Sequence, residues 1–280
     1  MSADPRATAL FLGAFFDELA RWGVHDMVVS PGSRSTPLTM TAFELSRREP
    51  GRLRVFVDVD ERGAAFFALG LAKASGHPAA VVCTSGTAVA NYYPAVMEAE
   101  SSRVPLVVLT GDRPPRLQGL GAPQTCDQLN AYGNHVRAFR QMPLPSADGA
   151  ALAFARQAAR EAVIAAGEEC FGGPVHLNFP FDEPLKPDFS AEGLFESAQA
   201  AAKQERMFHV KHPFLFRSSL RRATPGVWPR CSRTGARSCT RARVPAQASS
   251  KPARCSTGRE LSACHCSRIR CPACGLRTTP

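Results

Sequence analysis

Three continuous apolar runs, Met27-Val28-Val29, Ala79 to Cys83 and Pro105 to Leu109, restrict what this chain can fold into more than any other feature. A strand with one wet face alternates apolar and polar residues, and these runs do not. Continuous apolar strands set between helical segments predict a parallel sheet covered on both faces. Helical segments do separate them. Asp4-Pro5 is a helix start, with an N-cap oxygen followed by a Pro whose missing N–H costs nothing, and that helix runs to about Arg21. Thr36-Pro37 opens a second helix to about Arg48, and Glu61 to Ser75 reads as a third. A fourth follows Thr84-Ser85-Gly86-Thr87 through Glu100, and Ser146 or Asp148 caps a fifth to Ala166. Further strands are expected at Arg54 to Val59, Val136 to Arg140 and Val175 to Phe179. The expected fold class is α/β: a doubly wound, mainly parallel sheet with helices on both faces.

In such sheets ligands sit beyond the carboxyl ends of the strands. Four loops that follow strands carry unusual chemistry: Ser30 to Ser35, Asp58 to Gly63, Thr84 to Thr87 and Thr110 to Gln124. Their convergence on one sheet edge is the step from pattern to site. The two common phosphate-cradling glycine motifs, GxGxxG and GxxxxGK[ST], are absent from the sequence.

Charge divides the chain into two materials. Residues 206–280 hold 14 Arg and 2 Lys against the single acid Glu260, whereas residues 1–205 hold 18 basic and 23 acidic side chains. The overall charge of +10 therefore describes neither part. Cysteine splits likewise: Cys83, Cys126 and Cys170 in the first part, seven after residue 230. Three scattered Cys argue against a disulfide framework and fit a reducing cytoplasm. No apolar run approaches the roughly 20 residues of a membrane span, and Ala7 to Phe16 leads into Asp17-Glu18 as a buried helix would. A domain over 1–190, a linker over 191–205 and a disordered basic tail over 206–280 are the expected divisions. The tail reads as translation in a non-native frame. Its Cys264-His265-Cys266 and Cys271-Pro272-Ala273-Cys274 have zinc-ligand types at spacings that Cys-rich sequence produces by chance. Its arginines would bind nucleic acid without specificity.

Glu61 follows a strand and opens a helix, an edge position where a carboxyl group can be tuned. Taken alone, it reads first as a residue that complements the helix dipole. Ser85-Gly86-Thr87 opens a helix whose free N–H groups could face an anion or simply be capped. The histidines His25, His77, His135 and His176 lack metal-ligand spacing and read as core or surface residues.

Five blocks occur in order: Ser30-Pro-Gly-Ser-Arg-Ser-Thr-Pro-Leu, Asp60-Glu-Arg-Gly-Ala, Phe67-Ala-Leu-Gly-Leu-Ala, Cys83-Thr-Ser-Gly-Thr-Ala and Thr110-Gly-Asp-Arg-Pro-Pro. Together they closely resemble the thiamine-diphosphate enzymes, and within them the 2-succinyl-5-enolpyruvyl-6-hydroxy-3-cyclohexene-1-carboxylate synthases of menaquinone biosynthesis. The resemblance covers roughly residues 8 to 185. It implies the pyrimidine-binding domain, with Glu61 as the carboxylate that shares a proton with the pyrimidine N1′ of thiamine diphosphate. Ser85, Gly86 and Thr87 are implied at the cofactor. Ser33, Arg34, Arg113 and Gln124 are implied at isochorismate, which is joined to 2-oxoglutarate after loss of carbon dioxide. Read without the resemblance, Arg34 could cap a helix, Arg113 could pair with Asp112, and Gln124 could be a loop residue. The family usually has Asn where this chain has Pro123.

The resemblance further implies a homo-oligomer and a Mg²⁺ held by a Gly-Asp-Gly motif elsewhere, a tripeptide that does not occur in these 280 residues. It implies a fragment that is inactive alone, with no metal ligands of its own and no membrane or specific nucleic-acid partner. Another thiamine-diphosphate decarboxylase or carboligase, or a non-catalytic binding domain of the same fold, are the alternatives.

Overall fold

The computed structural model describes residues 3–168, 171–190 and 194–195. The tail over 206–280, with its Cys264 to Cys274 cluster, and most of the expected linker lie outside the described residues. Eleven main elements follow in order: α1 (Pro5–Arg21), β1 (Asp26–Val29), α2 (Thr36–Arg48), β2 (Arg54–Val57), α3 (Glu61–Ser75), β3 (Ala79–Cys83), α4 (Thr87–Ser101), β4 (Leu106–Asp112), β5 (Phe139–Gln141), α5 (Gly149–Gly167) and β6 (Pro174–Pro180).

Local chemistry sets the helix ends. The Asp4 carboxylate accepts from the Arg6 N–H at 2.9 Å, and Asp60 accepts from the Arg62 N–H at 3.1 Å. Asp148, and not Ser146, caps α5, accepting from the Ala151 N–H at 2.8 Å. Gly76 closes α3 with a left-handed φ of 72°.

The six strands are all parallel, in the order β2-β1-β3-β4-β6-β5. Alternate residues of each buried strand feed two cores. Met27, Val29, Ala80, Val82, Val107 and Leu109 pack with α1, α2 and α5. Val28, Val81, Cys83 and Val108 pack with α3 and α4. Two faces buried by two sets of helices make the sheet doubly wound, as its continuous apolar strands require. β1 has β2 on one side and β3 on the other, so strand order reverses there. Such a switch point opens a crevice at the carboxyl edge.

Three strand boundaries differ from the sequence reading by two residues or more. β2 ends at Val57, because the Asp58 carboxylate takes the Asp60 N–H and turns the chain toward α3. β4 runs on to Asp112, because β6 pairs with it through Pro180. Gly111 and Asp112 are therefore strand residues and not loop. β5 keeps only Phe139–Gln141, the residues in register with His176 to Asn178. Leu194 and Phe195, inside the expected linker, are buried in the core beneath α1.

A buried charge cluster joins α1 to α5. Asp17 takes Arg21 Nε and Arg156 Nη1, both at 3.0 Å, and is also bonded by Arg52. Glu18 accepts from Trp22 Nε1 at 2.9 Å and lies 3.4 Å from Arg156. No helix among the described residues is long and apolar enough to cross a membrane.

Candidate functional site

Three of the four loops meet at the carboxyl edge through their glycines. A Cβ on Gly32 would lie 2.6 Å from the side chain of Thr84, and one on Gly111 would lie 2.5 Å from the carbonyl oxygen of Arg34. Gly86 has φ of +79°, and its missing Cβ would meet Gln124 Cγ at 2.9 Å. Glycine is needed at Gly111 and Gly86 because backbone approaches backbone, and at Gly32 because the Thr84 side chain fills the space. Hydrogen bonds close the same seams. The Arg34 N–H donates to Thr84 Oγ1 at 3.1 Å. Ser85 Oγ donates to the Gln124 carbonyl at 3.0 Å, and Gln124 Nε2 donates to the Ser85 carbonyl at 3.1 Å.

Arg113 does not pair through its guanidinium with Asp112. Its Nη1 donates to Ser85 Oγ at 2.8 Å and to the Gln124 carbonyl, while its backbone N–H binds Asp112 Oδ1 at 2.7 Å. Ser85 is thus a tie between loops and not a helix cap; Gly86 holds the cap position of α4. Gln124 is exposed and sits in the left-handed region at φ 56°, right after Pro123. Arg34 does not cap a helix either. It is buried, and its Nη1 donates to the Phe181 carbonyl at 3.0 Å, beyond the end of β6. Its Nε is buried without a partner among the described residues. Burial, and then the nearby Arg113 charge, push the Arg34 guanidinium below its ordinary pKa. Arg34 Nη2 also lies 3.5 Å from the Glu183 carboxylate, so Arg113 is the fork turned toward the cleft, and a guanidinium there suits an anionic ligand. Ser33 and Thr87 are exposed, and no side-chain bond holds either among the described residues.

Arg113 opens onto a cleft of about 620 Å³, whose walls include Asp112, Gln118, Thr125, Cys126 and Gln128. Glu61 is not on its wall. It stands half-buried in the first turn of α3, where Oε2 accepts from Asn91 Nδ2 of α4 at 3.1 Å. The acid thus flanks the 84–87 loop from the α3 side, and Arg113 and Gln124 flank it from the β4 side. Oε1 of Glu61 takes no hydrogen bond among the described residues, which leaves one carboxylate oxygen available to an aminopyrimidine ring. That open oxygen beside a glycine-opened helix fits thiamine diphosphate.

Buried at the base of the cleft lie four polar residues, Thr110, Asp112, Gln128 and Asn178, of which the sequence reading passed over Gln128 and Asn178. His176 lies with them as an interior residue, its ring 4.8 Å from that of Tyr132. Burial lowers its pKa from 6.5 to about 3. The folded protein therefore refuses a proton that the unfolded chain accepts below pH 6.5. This contribution to stability is intact above pH 6.5 and falls as pH drops toward 3, by up to about 1.4 kcal/mol per pH unit. Urea unfolding at pH 7.5, 6 and 5 should show a steeper loss in the parent chain than in His176→Phe. Equal slopes would refute the assignment.

Residues 12–131 match the family model for the N-terminal TPP binding domain of thiamine pyrophosphate enzymes. Among curated proteins, the chain is 54% identical over 190 residues to the 2-succinyl-5-enolpyruvyl-6-hydroxy-3-cyclohexene-1-carboxylate synthase of Bacillus cytotoxicus, covering 68% of this chain and 32% of the relative. It is 52% identical over 185 residues to the synthase of the same name from Oceanobacillus iheyensis, covering 66% and 31%. Against that of Geobacillus kaustophilus it is 50% identical over 203 residues, covering 72% and 34%. The chain spans about a third of the length of these relatives. With its doubly wound sheet and its acid in the first turn of α3, the chain carries over residues 12–131 the N-terminal TPP binding domain of the thiamine pyrophosphate enzymes.

Proposed function

We propose that this chain is the pyrimidine-binding part of a synthase that decarboxylates 2-oxoglutarate and adds the product to isochorismate in cytoplasmic menaquinone synthesis. One observation carries the reading most: Arg113 opens onto a cleft beside the loop that opens α4, with the charge of Arg34 buried behind it. When bound, thiamine diphosphate supplies the nucleophilic carbon and the electron sink for decarboxylation. Glu61 offers Oε1 to the aminopyrimidine and holds a proton in common with it, a general acid–base role. Arg113 spends Nη1 on Ser85 and Gln124, which leaves the rest of its fork for a carboxylate of isochorismate. Arg34 adds positive potential from below. Ser33 and Gln124 rim the same site, and Ser85, Gly86 and Thr87 present the start of α4 to the cofactor.

The Mg²⁺ of such an enzyme would be held by a partner domain. A second copy of the chain is the partner we assign to α3 and α4, which leave Phe66, Phe67 and Met97 exposed.

The test supplies the diphosphate- and metal-binding domain of a relative as a separate chain and measures carboligation. Activity should appear in trans. Arg113→Ala should then raise KM for isochorismate by about 10- to 100-fold, the loss of hydrogen bonds to a charged group. An unchanged KM for isochorismate would sink the assignment.

A further inference from the structure

The buried polar residues under the cleft form one chain of hydrogen bonds, and the backbone dictates its direction. The Gly86 N–H is an obligatory donor and meets Gln128 Oε1 at 3.0 Å. The Gly111 carbonyl is an obligatory acceptor and takes Gln128 Nε2 at 3.2 Å. These two contacts fix which end of the Gln128 amide faces which loop. Its second Nε2 proton goes to Asn178 Oδ1 at 2.9 Å, so the Asn178 amide is oriented too. Asn178 Nδ2 then donates to Asp112 Oδ2 at 2.7 Å and to Gln141 Oε1 at 2.8 Å. Thr110 donates its only hydroxyl proton to Asn178 Oδ1 at 2.7 Å. It must therefore accept from His176 Nε2, 2.8 Å away, which puts the imidazole proton on Nε2. His176 Nδ1, buried and without a partner, fits the unprotonated nitrogen of that tautomer.

We propose that Gln128 is a positioning residue, which locks the loop opening α4 to the end of β4 that carries Arg113. This rests on the functional reading above, in which one loop faces the cofactor and the other the acceptor. Gln128 is fully buried, yet it comes from an otherwise exposed stretch between Asp127 and Asn130. Among the described residues, its side chain bonds to the backbone of both loops at once, at Gly86 and at Gly111. Through Asn178 it also reaches Asp112, whose Oδ1 takes the Arg113 N–H. The separation of cofactor and acceptor thereby becomes a property of one amide. A carboxylate in its place would keep the acceptor for Gly86 and turn lone pairs toward Gly111 and Asn178. A thioether would lose both.

The experiment is amide-resolved NMR on the full chain without ligands, in Gln128→Met and Gln128→Glu. In Gln128→Met, the Gly86 amide should exchange with solvent at least tenfold faster, while amides of β1 and β3 hold their rates. In Gln128→Glu at pH 8, the Gly86 and Arg113 signals should be displaced. They should return toward their parent positions as the pH is lowered to 5.5 and the buried carboxyl becomes a donor again. The parent chain should hold both signals constant over that range, with His176 as the Nε2–H tautomer throughout. Three results would each overturn the proposal: unchanged Gly86 exchange in Gln128→Met, no pH-dependent return in Gln128→Glu, or His176 protonated on Nδ1. If Gln128→Met does not fold, the titration of Gln128→Glu decides alone. Because no ligand is present, a failed carboligation assay would sink the functional reading and leave this network standing.

Discussion

Glu61→Gln should lower carboligation in trans by about 100- to 10,000-fold, the scale of general acid–base catalysis by a single positioned group. An amide at this position keeps the length, the hydrogen bond to Asn91 and the packing of α3. It differs in one respect: it cannot exchange a proton with the aminopyrimidine ring. The loss should fall on kcat and leave the KM for isochorismate within a few-fold, because Glu61 lies off the acceptor cleft. Thermal stability should stay near that of the parent, since the side chain is only half-buried and caps no buried donor. Initial rates at saturating 2-oxoglutarate, with a melting curve on the same preparation, separate these effects. A Glu61→Gln variant that turned over within tenfold of the parent would remove the proposed proton sharing.

Asp17→Ala should destabilise the folded domain by about 3–5 kcal/mol, the cost of leaving a buried partner uncompensated. Asp17 is fully buried between Arg21, Arg52 and Arg156, and Arg156 is nearly as buried. Without the acid, Arg156 keeps only Glu18 at 3.4 Å among the described residues, and three guanidiniums lose their shared carboxylate. Asp17 also links α1 to α5 and to the turn before β2, so its loss loosens three elements together. Urea unfolding followed by circular dichroism would measure this. A shift below about 1 kcal/mol would mean that the cluster is hydrated in solution and that α1 is held by its phenylalanines alone.

The sheet was legible because its strands obey a simple rule. Val28, Val81 and Val108 face one helical layer, and their neighbours face the other, so every position had to be apolar. Glu61, Arg34 and Arg113 were singled out through motif blocks; the loops of Arg34 and Arg113 do meet, while Glu61 bonds Asn91 of α4 instead. What sequence could not supply was how the loops are tied. The Arg113 guanidinium binds Ser85 and leaves only the backbone N–H to Asp112, because β4 continues through Asp112 and carries the side chain toward the loop after β3. Strand length there depends on pairing with β6, more than sixty residues away. The buried network left a trace that the apolar-run criterion hides: Val175 to Phe179 alternates, with His176 and Asn178 two residues apart on one face. Two polar side chains pointing into a covered sheet must find partners. In register, Thr110, Asn178 and Gln141 lie side by side on adjacent strands. Gln128 had no such signal, since its loop has no period.

The glycine contacts at Gly32, Gly86 and Gly111 bear on how such a catalyst could acquire a new acceptor. Each of these positions is closed to any larger side chain, so the inner rim is frozen as a block. Gly119 and Gly121, farther along the cleft, have nothing within 4 Å of a would-be Cβ, though both keep left-handed backbones. Diversity introduced among residues 119–122, which leaves out Gln118 and Gln124 with their bonds to Asp112, Arg113 and Ser85, can therefore reshape the entrance without disturbing the loops behind it. Libraries that vary this outer wall, with Asn or Asp at the two glycines, are the economical route to altered substrate preference.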